Sequence, residues 1–204
     1  MANERRTTIG PFFRGWVWAT FLGWILGFFG GFVAAHVAEI FLGRETQFAL
    51  GVGLGLAVAY FQGRLLAKRV PSAKAWAWAW AGLMGMGVAF IAGDIADAVG
   101  VGAPIQKHWI QILGGLLTGF LQWRLLRPHS RHAGWWVLAC VAGWELAFLT
   151  PDLPYFLGSG ESALFTVAAM LFGGVTLGVV TGGVLVWLLE RSPASGQSET
   201  AKPA

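Results

Sequence analysis

The sequence predicts an all-α integral membrane protein with six transmembrane helices, arranged as three tandem helical hairpins. Three observations predict this. Hydrophobic residues make up 56% of the 204 residues and charged residues only 12%, against roughly 25% charged in soluble domains. The apolar residues gather in six runs that approach or reach the about 20 residues a crossing needs. Two stretches sixty positions apart, GLAVAYFQGRLL (55–66) and GLLTGFLQWRLL (115–126), are nearly the same text.

The six runs are 12–35, 48–66, 75–93, 109–126, 134–150 and 163–189. The shorter ones require tilt or local thinning of the bilayer. Gly10-Pro11-Phe12-Phe13 opens the first run, with proline in a first turn, where its missing N–H costs nothing. That run has the basic start of a signal peptide (Arg5, Arg6, Arg14) and small residues at its exit (Ala34, Ala35). Its apolar length exceeds a signal h-region, and it matches later runs, so it is read as a retained helix. The membrane domain is 1–192. The tail, 193–204, is rich in Ser, Pro, Ala and Gly and is predicted to be disordered.

The repeat sets the order of the elements. Pattern A is small-x-x-x-small-x-x-Gln: Gly55, Ala59, Gln62 and again Gly115, Gly119, Gln122. A third copy, Gly174, Gly178, Thr181, has threonine in place of glutamine. Pattern B is Trp-x-x-Ala-x-x-x-Gly: Trp16, Ala19, Gly23; Trp78, Ala81, Gly85; Trp136, Ala139, Gly143. The order B-A-B-A-B-A gives hairpin repeats at approximately 12–66, 75–126 and 134–189.

Positions i, i+4 and i+7 share one helix face, so each A pattern is a stripe of small residues ending in a polar side chain. Small residues let helix backbones approach closely in lipid. An amide on that stripe must face another helix, because toward lipid it stays unsatisfied. Two roles are open for Gln62, Gln122 and Thr181. They are polar pins between helices, or they converge on a pseudo-threefold axis and line a ligand site or pathway.

Charge gives the orientation. With the N terminus in the cytoplasm, Arg5, Arg6, Arg14, Arg64, Lys68, Arg69, Lys74, Arg124, Arg127, Arg131, Arg191 and Lys202 fall inside. Only Arg44 and Lys107 fall outside, leaving twelve of 14 basic residues on one side. The positive-inside rule therefore predicts N-in and C-in. Trp16, Trp18, Trp76, Trp78, Trp80, Trp135, Trp136 and Trp187 lie toward the same inner surface and are expected to form an interfacial aromatic belt. The net charge of +4 sits in the gaps between apolar runs, which suits a membrane surface and not nucleic acid.

Glu145 is the most unusual polar residue. It lies about ten residues into the fifth run, some 15 Å deep by helical rise, where a carboxyl group is a functional-site hypothesis by default. Asp152 follows one heptad later, so the two are candidates for one polar path. The other reading of Glu145 is a hydrogen-bonded pin between helices. His36 and Glu39, and Asp94 and Asp97, are i, i+3 pairs near outer helix ends. They are read as a solvated polar rim. Neither pair has a third ligand in sight, so no metal is assigned. Cys140, the single cysteine, is read as a small buried hydrophobe.

No phosphate loop, dinucleotide fingerprint or nucleophile elbow occurs. The expectation is a non-enzymatic scaffold or accessory subunit holding a lipid, quinone or pigment, with the bilayer and another membrane protein or a second copy as partners. The alternative is a transporter of a small solute or ion with Gln62, Gln122, Thr181 and Glu145 at the midplane, since transporters are commonly built from internal repeats.

The cassettes resemble a group of uncharacterised polytopic membrane proteins from cyanobacteria and other environmental bacteria. These carry a repeated G-x-x-x-G-x-x-Q-W-x-x-L-R followed by a Gly-Trp-Trp helix. The match here is Gly115–Leu126 with Gly134-Trp135-Trp136 through Gly143-Trp144, and the ending Gly174–Leu189 with Thr181-Gly182 and Trp187. The first A copy departs, with Ala59 and Gly63 where Gly and Trp are usual. The resemblance implies a polytopic fold in a bacterial inner membrane and brings no activity.

Overall fold

The computed structural model describes residues 2–43, 46–70, 74–100, 103–150 and 163–191. The tail 193–204 and Asp152 lie outside them. The described residues form six helices and no strand: α1 (Ala2–Leu42), α2 (Phe48–Ala67), α3 (Ala75–Ala98), α4 (Ala103–Leu126), α5 (Trp135–Leu149) and α6 (Ala163–Glu190).

Four of them are long and apolar enough to cross a membrane: α1 over Ile9–Leu42, α2, α3, and α6 over Val167–Glu190. The other two fall short for identifiable reasons. Helix α5 has only 15 residues. Helix α4 carries Gln111, Thr118 and Gln122, but all three are buried, and it is Ile112, Leu116 and Phe120 that face outward. Its hydropathy is lowered by these inward-facing polar residues and by the exposed Arg124 in its last turn.

Helix α1 departs from expectation at both ends. It begins at Ala2, so Pro11 lies inside the helix and not in its first turn. It also runs past residue 35 to Leu42. Its 41 residues span about 62 Å, twice the about 30 Å hydrocarbon thickness. Nothing breaks the helix until Gly43, whose φ of +64° allows the left-handed turn that ends helices, with its N–H bonded to the Glu39 carbonyl at 2.8 Å.

The helices form a closed ring. Each packs on its neighbours in chain order, and α6 packs back on α1. The pairs are antiparallel. Along α1, Gly23, Gly27 and Gly31 meet Val58, Gly53 and Leu50 of α2 in descending order. Large apolar side chains face outward all round, among them Leu26, Phe29, Val88, Leu138, Phe172 and Val179. An apolar perimeter of this extent is consistent with a membrane protein.

Glycine sets the helix spacing. A β-carbon on Gly27 would lie 2.7 Å from the Gly53 carbonyl oxygen, and one on Gly115 would lie 2.8 Å from the Val141 Cα. A β-carbon on Gly55 would run into the Gly82 carbonyl. At these places backbone meets backbone, which gives dispersion contact that larger residues would forbid.

Candidate functional site

The ring encloses a layer of three tryptophans. Trp16 of α1, Trp78 of α3 and Trp136 of α5 are fully buried. Each touches the other two, with ring centroids 6.4 Å apart for Trp16 and Trp78, 6.0 Å for Trp16 and Trp136, and 5.4 Å for Trp78 and Trp136. This corrects the belt expectation for these three. Trp18, Trp76, Trp80 and Trp135 do face outward, as a belt requires. The reason is angular: residues two apart on a helix point about 200° apart, so Trp16 and Trp18 cannot share a face.

Each buried tryptophan donates to the polar residue of one A stripe. Trp16 Nε1 donates to Thr181 Oγ1 at 3.1 Å, Trp78 Nε1 to Gln62 Oε1 at 3.4 Å and Trp136 Nε1 to Gln122 Oε1 at 3.0 Å. Every bond joins adjacent helices: α1 to α6, α3 to α2, α5 to α4. The three candidates Gln62, Gln122 and Thr181 are therefore together and buried. Gln62 also donates through Nε2 to Thr20 Oγ1 at 2.9 Å, and Thr181 donates to the Leu177 carbonyl at 2.6 Å. Cys140 donates weakly to Gln122 Oε1, with Sγ 3.8 Å away.

Between these groups lies a cavity of about 10 Å³, lined by Gln62, Gln122, Thr181, Thr118, Cys140 and Trp144 among others. On one side of it the centre is packed with aromatic side chains. Trp24 and Trp144 have centroids 5.9 Å apart, Phe148 packs on both, and Phe90 packs on Phe148 at 6.4 Å. The Trp24 indole donates to the Met170 carbonyl at 2.9 Å.

Glu145 is placed elsewhere. It is not among the residues lining the cavity. Its Oε1 lies 2.5 Å from Nδ1 of His108, joining α5 to α4. The His108 side chain is 50% exposed and that of Glu145 22%. Glu145 Oε2 is buried and has no hydrogen-bond partner among the described residues.

The rim residues separate in the same way. His36 and Glu39 approach to 3.8 Å on the exposed outer part of α1. Asp94 is occupied by the fold. Its carboxylate accepts from Thr46 Oγ1 at 2.6 Å, from the Gln47 N–H at 2.8 Å and from the Phe48 N–H at 3.0 Å. It thus satisfies amides at the start of α2, where a carboxylate also suits the positive helix end. Asp97 is exposed. Among the described residues, no three His, Cys, Asp or Glu side chains converge as a metal site would need.

Three participants escaped the sequence reading: Thr20, Thr118 and His108. Thr20 follows Trp16 by four residues and so shares its face, a signal that was available. Thr118 lies one turn before Gln122 on the inward stripe of α4. His108 has no such signal, since its partner is on another helix. No protein-family model, curated protein or solved structure matches the chain.

Proposed function

We propose that this chain is a non-enzymatic membrane scaffold or accessory subunit. In this reading all six helices cross the bilayer as three hairpin repeats, with both termini cytoplasmic. The carrying observation is the interior: three tryptophans in mutual contact, each hydrogen-bonded to an adjacent helix. A centre filled this way holds the helices in register. Its cavity of about 10 Å³ is at the lower limit for one water, far below the 300 Å³ or more of a cofactor site. A lipid, quinone or pigment would therefore bind on the apolar perimeter, where a partner subunit or second copy would also dock.

Two measurements test this. Cysteine labelling from either side of the membrane, at Lys74 and Arg131 against Arg44 and Lys107, reads the topology. Accessibility of all four from one side would sink the six-span arrangement. Absorption spectroscopy and native mass spectrometry of the protein in mild detergent read the cargo. A co-purifying lipid, quinone, pigment or subunit supports the scaffold role, and an empty monomer that moves solute in proteoliposomes refutes it.

A second reading, transport of a proton or small ion, is favoured by the Glu145–His108 contact, because a titratable pair within a spanning bundle is a common element of proton pathways. It predicts a pH-dependent flux that Glu145→Gln abolishes while folding is retained. A parent protein without flux removes it.

A further inference from the structure

We propose that the cavity at the centre of the helix ring is a binding site for one water molecule, held between the Thr118 hydroxyl and the side-chain amide nitrogen of Gln122. The starting point is Thr118. It is only 3% exposed, it lines the cavity, and its Oγ1 has no hydrogen-bond partner among the described residues. That is unusual in this chain. The hydroxyls of Thr20, Thr150, Thr176 and Thr181 each donate to the carbonyl four residues earlier, at 2.9, 2.8, 3.1 and 2.6 Å. Thr118 makes no such bond. Its residue packs directly on the bare backbone of Gly85 in α3.

Gln122 supplies the second partner. It lines the same cavity and is 1% exposed. Both of its hydrogen bonds end on Oε1. The indole N–H of Trp136 fixes which end of the amide is the oxygen, because that N–H can only donate. The amide NH2 is left to donate elsewhere. Thr118 and Gln122 are four residues apart on one helix face, with side chains about 5–6 Å apart at Cβ, a span that one water bridges.

The chemistry selects the occupant. The remaining polar lining is committed: Gln62 uses both ends of its amide on Trp78 and Thr20, and Thr181 accepts from Trp16 and donates to Leu177. No carboxylate or basic side chain lines the cavity. A cation would face the positive end of an amide NH2 with no compensating anion, and an anion would have no cation. Water accepts from the amide and exchanges a hydrogen bond with the hydroxyl, and its size matches the space.

Isosteric substitution gives a result whose sign decides the question. The protein in lipid nanodiscs is compared with Thr118→Val and Thr118→Ser by thermal unfolding. With the water bound, Thr118→Val strips it of one partner and orphans the Gln122 amide, so Tm falls by about 2–4 °C. Thr118→Ser keeps the hydroxyl and holds Tm closer to the parent. A Tm for Thr118→Val equal to or above the parent's overturns the proposal, because deleting an unpaired buried hydroxyl from a dry cavity is neutral or stabilising. Should the valine variant not fold, density from the unaltered protein decides. An ordered peak within hydrogen-bond distance of Thr118 Oγ1 and Gln122 Nε2 supports the site, and a dry cavity overturns it.

Discussion

Gln122→Leu is the sharpest test of the tryptophan layer. Leucine, slightly larger than glutamine, keeps the site filled and deletes the amide, so Trp136 and Cys140 lose their acceptor and the proposed water loses its donor. The side chain is 1% exposed, and Trp136 Nε1, 3.0 Å from Gln122 Oε1, loses its acceptor. An orphaned buried donor costs about 1–3 kcal/mol. The gain from a more apolar side chain offsets part of this, leaving a net loss of about 1–2 kcal/mol. For a chain of this size that is a Tm drop of about 2–8 °C. Single substitutions mix the bond with everything else at the site, so the decisive assay is a double-mutant cycle with Trp136→Phe, read by thermal unfolding in one detergent. Phenylalanine removes the donor and retains most of the ring. Hydrogen bonds between membrane helices show coupling of about 0.6 kcal/mol on average and about 1.7 at most, and a fully buried bond belongs in the upper half of that range. Additive single effects, within about 0.3 kcal/mol, would refute the claim that this bond pins α5 to α4.

Other substitutions report on other joints. Gly55→Ala should lower Tm by several degrees or prevent folding, since its β-carbon runs into the Gly82 carbonyl and overpacking costs about 1–3 kcal/mol. Gly183→Ala, where nothing lies within 4 Å, should be neutral or stabilising by up to about 1 kcal/mol; thermal unfolding of the two side by side separates packing from helix propensity. Asp94→Ala should destabilise the start of α2 by about 1 kcal/mol, seen as faster amide exchange at Gln47 and Phe48. Cysteines placed at His108 and Glu145, whose side-chain tips meet across α4 and α5, should be joined by a short bifunctional thiol-reactive linker, and a pair that no such linker joins would show that the two helices are not juxtaposed there.

The helical class and the inward stripes were legible because both depend on spacing within one helix. Gln62, Gln122 and Thr181 announced themselves as polar residues at the end of small-residue stripes, and an amide in such a place has to find another helix. The tryptophans were harder. Composition places them near the inner surface, but only the 200° turn between Trp16 and Trp18 tells core from perimeter. Interactions between helices left no trace of that kind. Nothing near His108 in the sequence indicates Glu145, 37 residues away. Asp94 looked like half of a rim pair, yet it caps amides 46 and 47 residues earlier. The far end of α1 is not legible because His36 and Glu39 interrupt the apolar run, while apolar residues and the helix both continue to Leu42 and the turn comes at Gly43.

The closing contact between α6 and α1 has a consequence for how the molecule is made. Among the described helices, five of the six interfaces join segments consecutive in the chain, so each can assemble as soon as its second helix has been made, at little cost in loop closure. The sixth must wait for α6. Until α6 arrives, the indole of Trp16 lacks Thr181, the indole of Trp24 lacks the Met170 carbonyl, and the flank of α1 that meets Gly178 lies open. A nascent chain therefore carries an unfinished seam, with two indole donors unpartnered, until α6 is in place. A truncation that loses α6 would keep the four interfaces among α1 to α5 and bare the flanks of both α1 and α5 to proteolysis, so survival of the chain becomes a readout of ring closure itself.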